Sequence, residues 1–104
     1  MPSIEHEDLK ERARVKLENL GYKVISVPSQ MKEIFAKKGY SLWDIGYPDL
    51  CAIKGDDVIL VQAVKTSLQT YQLDAYQKIG KVILIFNFYR TKNFEVWGWN
   101  DAIP

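Results

Sequence analysis

Two almost uninterrupted apolar runs set the tightest limit on what this chain can fold into. Residues 58–65 read V-I-L-V-Q-A-V-K, and residues 82–88 read V-I-L-I-F-N-F. Short runs of this kind, rich in β-branched side chains, are typical of strands that a sheet buries on both faces. Between the two runs, apolar residues recur at helical spacing from Leu68 to Ile79. The chain is therefore predicted to be an α/β protein with a buried mixed β-sheet.

Periodicity and turn residues place the remaining elements. The first helix is predicted over residues 4–20, with Ser3 as its N-cap and Gly21 as its stop. The further predictions are strands over 22–27, 49–54, 58–65, 82–88 and 94–99, a hairpin tip over 89–93, and a helix over 68–79 capped by Thr66 or Ser67. Residues 30–47 are the least regular stretch, in which residues 31–37 could form a short helix. The predicted order is α-β-β-β-α-β-β, in a single domain over residues 1–104.

Composition excludes several classes of protein. Lysine and arginine number 14 and aspartate and glutamate 13, so the formal net charge of +1 excludes a strongly basic nucleic-acid coat. One cysteine, Cys51, and one histidine, His6, exclude a disulfide framework and multi-cysteine or histidine-rich metal sites. No apolar run approaches the ~20 residues of a membrane span, and the polar, acidic start is unlike a targeting peptide. We therefore expect a cytoplasmic protein with no membrane partner.

The most informative segment is G-Y-P-D-L at residues 46–50, followed by a hairpin and by V-Q-A-V-K-T at residues 61–66. Asp49 opens one predicted strand, and Lys65 closes the next. A carboxylate and an amine held near each other on paired strand ends suit metal-assisted attack on a phosphodiester. The carboxylate binds Mg²⁺ or Mn²⁺, and the lysine polarises the attacking water or stabilises the developing charge.

This arrangement resembles the PD-(D/E)XK nuclease superfamily, in particular its small archaeal Holliday-junction-resolvase-like members. The similarity covers most of the chain: a helix ending in L-G-Y, the G-x-P-D-L turn, a strand ending in V-K-T, a glutamine-bearing helix, and G-K-V-I-L-I-F. It implies a restriction-endonuclease-like mixed β-sheet flanked by helices, Mg²⁺-dependent cleavage of DNA, including branched DNA, and a homodimer. It assigns the motif aspartate to Asp49, the motif lysine to Lys65 and an assisting glutamine to Gln72. A solvated helix side chain is the equal alternative for Gln72.

The second acid of the motif is missing. It should lie two residues before Lys65, because residues i and i+2 share one face of a strand. That position is Ala63, and the adjacent Gln62 points to the opposite face, so that it can substitute only through a bulge. Either the chain binds DNA without cutting it, or the acid comes from elsewhere, or residue 63 is a substituted position.

An acid expected on the first helix is also replaced, by Lys10. Glu7 lies one turn earlier and is a better replacement than Glu11, which points almost opposite to the apolar stripe. Glu7 is therefore the candidate second metal ligand beside Asp49. Asp44 and Asp74 are further sources of a migrated acid.

Three functional interpretations stay open. The first is a metal-dependent DNA endonuclease, and the second is a catalytically degraded homologue that binds DNA. The third is an assembly subunit that pairs through Trp97, Trp99 and the last strand, since these two side chains share one strand face and can stack bases or pack a dimer. Basic residues on the first helix and within residues 30–47 are candidate DNA contacts.

Overall fold

The computed structural model describes residues 4–42, 44–64, 69–85 and 95–97. In chain order the elements are α1 (Ile4–Asn19), β1 (Lys23–Ile25), α2 (Pro28–Lys37), β2 (Leu50–Lys54), β3 (Asp57–Ala63), α3 (Thr70–Ile79), β4 (Lys81–Ile85) and β5 (Glu95–Trp97). The predicted α/β class is confirmed. Of the helices in the described residues, none has both the length and the apolar composition that a bilayer crossing requires.

The predicted element order is wrong because it omits α2. This helix begins at Pro28, where a residue without an N–H is tolerated in the first turn. Met31 and Phe35 lie one turn apart and are completely buried. The short helix considered over residues 31–37 therefore exists and begins three residues earlier, because two apolar side chains at i, i+4 suffice to anchor it to the sheet.

The strands form one mixed sheet in the order β1-β2-β3-β4-β5. The β1–β2 and β2–β3 pairs are antiparallel, whereas β3–β4 and β4–β5 are parallel. Ile83 lies opposite Glu95, and Ile85 lies opposite Trp97. Strands joined by a hairpin must be antiparallel, so the predicted hairpin tip over residues 89–93 is wrong. Those five residues themselves lie outside the described part of the chain.

The sheet separates two hydrophobic layers. Along each strand, successive side chains point alternately into one layer and the other. The α2/α3 layer combines these helices with one face of the sheet, through the buried residues Ile25, Met31, Phe35, Leu42, Cys51, Val58, Leu60, Tyr76, Val82 and Leu84. The α1 layer combines α1 with the other face, through Ala13, Leu17, Leu50, Ala52, Ile59, Val61, Ile83 and Ile85. Cys51 is thus the small buried apolar residue that its strand context predicts.

The ends of the helices confirm one set of predictions and correct another. Gly21 follows α1 with φ 94°, a left-handed conformation that glycine adopts without strain. Leu20, predicted to continue the apolar stripe, lies beyond the helix and is 50% exposed. The third helix begins at Thr70 after Gln69, which has extended backbone angles, so the predicted start at residue 68 is wrong. Ser3 and the other predicted caps lie outside the described residues.

Candidate functional site

The ladder of backbone pairs between β2 and β3 ends just before Asp49. Leu50 and Val61 form the last backbone pair, and the same register brings Asp49 opposite Gln62. Beyond this point β3 continues alongside β4, since Ala63 pairs with Ile85. We call the group Asp49, Gln62 and Ala63 the fork. Side-chain groups at the fork take the place of the next ladder bonds.

Two hydrogen bonds close the fork. The Asp49 backbone N–H donates to Gln62 Oε1 over 3.1 Å, and the Ala63 backbone N–H donates to Asp49 Oδ2 over 2.8 Å. Asp49 and Gln62 are half-buried. A bond from a backbone N–H to a carboxylate is charge-assisted and stronger than a neutral one. The position of the Asp49 carboxylate is therefore set by the backbone of β3.

The alternation of β3 assigns the two candidate second positions to different faces. Leu60 and Val64 belong to the α2/α3 layer, so Gln62 lies on that face. Ala63 is 5% exposed and follows Val61 on the α1 face. The expected opposition of residues 62 and 63 is confirmed. The Gln62 side chain bonds to the Asp49 backbone N–H, whereas Ala63 bonds to the Asp49 carboxylate through its own backbone N–H.

The α3 helix holds the segment that leads to Asp49. The Gln72 Nε2 group donates to the Ile45 carbonyl oxygen over 3.2 Å, and the Tyr76 hydroxyl donates to the Gly46 carbonyl oxygen over 2.9 Å. Residues 72 and 76 are one helical turn apart and face the same way. We call these two side chains the loop clamp. Together they fix the backbone three to four residues before Asp49.

Tyr76 is the site residue that sequence reasoning missed. Its ring is buried, and burial raises the pKa of Tyr76 to about 12, with a smaller contribution from the charge of Asp49. The hydroxyl therefore remains a neutral donor near the carboxylate. Its spacing could have identified it from the sequence, because Tyr76 lies one helical turn after Gln72. A buried tyrosine also needs a hydrogen-bond partner for its hydroxyl.

The two remaining predicted site residues have different outcomes. Lys65 lies outside the described residues, so its approach to Asp49 stays a prediction. Glu7 lies on α1, the helix that covers the face opposite the α2/α3 layer. Its carboxylate is exposed, and Glu7 Oε1 lies 3.8 Å from Lys10 Nζ. Glu11 is similarly paired with Arg14. Glu7 and Glu11 thus both have cationic partners on their own helix.

The oxygen donors at the fork suit Mg²⁺. No group of three or more histidine, cysteine, aspartate or glutamate side chains that could hold a metal occurs within the described ranges. Mg²⁺, however, is commonly held by one or two carboxylates, with water and substrate phosphates completing its shell. The carboxylate of Asp49 and the amide oxygen of Gln62 are hard donors of the type this ion prefers.

Comparisons with family models, curated proteins and solved structures found no match to this chain.

Proposed function

We propose that this chain is a metal-dependent DNA endonuclease that resembles Holliday junction resolvases, built on a restriction-endonuclease-like sheet. The observation that carries the proposal is the fixed carboxylate of Asp49 at the fork of β2 and β3. Lys65 lies two residues past the end of β3, so the alternation of side chains along β3 does not assign it to either face. An acid held by the backbone next to a strand that leads into a lysine supports phosphodiester chemistry at this edge.

Each residue has a separate task in this proposal. Asp49 binds Mg²⁺ or Mn²⁺, and the ion when bound supplies Lewis-acid activation of the phosphodiester. Lys65 orients the attacking water or stabilises the charge that develops on the phosphate oxygens. Gln72 assists by holding the Ile45 carbonyl and hence the segment before Asp49. This is a positioning role, since Gln72 acts through the backbone.

Basic residues near the same face support DNA as the substrate. Lys37 and Lys38 at the end of α2 are exposed, and α2 covers the face on which Cys51 lies. Lys38 is close enough to Cys51, two residues beyond Asp49, for its charge to oppose the rise in the pKa of the thiol that burial causes. Lysines in this position would contact phosphates and orient a DNA backbone.

The test is a cleavage assay on a four-way junction and a linear duplex with Mg²⁺ or Mn²⁺. We expect the wild-type chain to cut and Asp49→Ala and Lys65→Ala to lose the activity. Matched controls are Asp56→Ala, an exposed acid in the β2–β3 turn, and Lys78→Ala, an exposed lysine on α3. Cutting that survives in Asp49→Ala would contradict the proposal.

A second candidate is a nuclease-derived DNA-binding module that does not cut. It is favoured by the buried Ala63 at the expected acid position and by the pairing of Glu7 with Lys10. A salt-dependent shift of DNA by a wild-type chain that never cuts would establish this function. Absence of any shift at low salt, together with a dimer in light scattering, would favour the assembly subunit.

A further inference from the structure

We infer that residue 62, rather than residue 63, is the second ligand position of the metal site, and that Gln62 supplies a neutral oxygen there beside Asp49. This inference rests on the proposed function and deepens it. It concerns a residue that the motif spacing alone would pass over.

The side chains of Asp49 and Gln62 lie on the same face of the sheet. Asp49 precedes Leu50, which packs in the α1 layer, and Cys51, which packs in the α2/α3 layer. The charge of Asp49 also acts on Tyr76, a member of the α2/α3 layer. Gln62 lies on that face of β3, whereas Ala63 lies on the other. A side chain at residue 63 would therefore point away from the α2/α3 layer.

The Gln62 side chain also contacts the backbone of Asp49 directly. Gln62 Oε1 already lies 3.1 Å from the Asp49 backbone nitrogen. An amide oxygen has two lone pairs, so accepting this N–H leaves one for another partner. Amide oxygens of glutamine are accepted ligands of hard divalent cations. The Gln62 side chain therefore brings a suitable donor to the residue that carries the carboxylate.

The number of charged ligands at the site also depends on residue 62. A glutamine in this position leaves the site with one protein carboxylate, and metal affinity in oxygen sites rises with the number of charged ligands. Glutamate has the same shape as glutamine and can accept the Asp49 N–H in the same way. A glutamate at residue 63 would instead place its charge against the apolar α1 layer, where burial penalises it.

The test is titration of Mn²⁺ by calorimetry into four forms of the full chain: wild type, Gln62→Glu, Gln62→Leu and the double variant Asp49→Asn/Gln62→Glu. We expect Gln62→Glu to bind Mn²⁺ at least about tenfold more tightly than wild type. Gln62→Leu should bind more weakly than wild type, and the gain should disappear in the double variant. Ala63→Glu serves as the positional control and should give no gain.

Each outcome separates this inference from the proposed function. Equal Mn²⁺ affinities in wild type, Gln62→Glu and Gln62→Leu would overturn the inference, as would a gain that persists without the Asp49 carboxylate. If Ala63→Glu does not fold, the other four forms still decide. If DNA cleavage by the wild type requires Asp49 but the Mn²⁺ affinity does not change with the residue at position 62, only the inference fails. If Gln62→Glu gains affinity but no form cuts DNA, only the endonuclease proposal fails.

Discussion

The Tyr76 hydroxyl lies 2.9 Å from the carbonyl oxygen of Gly46, to which it donates a hydrogen bond. Gly46 has φ 95° and precedes Asp49 by three residues. Gln72 makes the equivalent bond to Ile45. The α3 helix therefore determines how the chain enters β2, and with it the position of the Asp49 carboxylate.

Removing the Tyr76 hydroxyl should loosen the loop clamp while leaving the buried ring in place. We expect Tyr76→Phe to lower the free energy of unfolding by about 1 kcal/mol, the typical net contribution of one hydrogen bond. Urea denaturation measures the change. The matched control is Tyr71→Phe on the same helix, because the Tyr71 side chain is 58% exposed. Equal effects in the two variants would show that the hydroxyl of Tyr76 does not hold the loop.

The two members of the loop clamp should be energetically coupled. Gln72 and Tyr76 hold neighbouring carbonyls, so loss of one bond loosens the segment and makes the second bond worth less. We expect the double variant Gln72→Ala/Tyr76→Phe to lose at least about 0.5 kcal/mol less than the sum of the single losses.

The control for this coupling is Gln72→Ala combined with Leu17→Ala, since Leu17 packs on the other face of the sheet. Those two losses should add within about 0.5 kcal/mol. Additive losses within the clamp would mean that Ile45 and Gly46 are held independently.

Alkaline pH should destabilise the fold through two buried groups. Burial raises the pKa of the Cys51 thiol to about 11 and that of the Tyr76 hydroxyl to about 12. In an unfolded chain these groups lose their protons near about 8.5 and about 10. The folded state then binds more protons than the unfolded state, so stability falls as pH rises. The contribution is complete below about pH 8.5 and is lost by about pH 12.

The measurement is the urea midpoint at about pH 8 and about pH 10.5. Cys51→Ala and Tyr76→Phe should each reduce the fall between these values. An unchanged fall in both variants would show that other groups cause the alkaline loss.

The apolar residues of α1 should contribute unequally to the free energy of unfolding along the length of the stripe. Leu17 is 1% exposed within the α1 layer, whereas Leu20 is 50% exposed beyond the end of the helix. We expect Leu17→Ala to lower the free energy of unfolding by about 2–5 kcal/mol, because it opens a cavity. Leu20→Ala should cost less than about 1 kcal/mol. Thermal or urea unfolding distinguishes the two, and similar losses would contradict the assignment of the stripe.

Sequence patterns predicted the parts of the fold that depend on local chemistry. The apolar runs became β3 and β4, the spacing of Ala13 and Leu17 became the buried stripe of α1, and Gly21 ended that helix. These features follow from side-chain periodicity and from backbone freedom at one residue, which a sequence displays directly.

Features that depend on packing between elements were not predictable in this way. The α2 helix has only Met31 and Phe35 as fully buried residues. Two apolar residues among polar ones form too short a periodic pattern to predict a helix from the sequence. The parallel direction of β5 depends on its connection and not on its composition. The contact of Gln62 with Asp49 depends on the register between β2 and β3, and the contact of Tyr76 with Gly46 depends on how α3 docks.

The location of the fork has a kinetic consequence. The β2–β3 hairpin turns at Gly55 and Asp56, and its pairs run from Lys54 with Asp57 to Leu50 with Val61. A hairpin that forms from its turn outward closes its most distant rung last, since each closed pair shortens the loop to the next. Asp49 and Gln62 lie just past that rung. We therefore expect a chain in which only the pairs near the turn have formed to lack the site. The contacts between Asp49 and Gln62 should form only after the whole β2–β3 hairpin has paired.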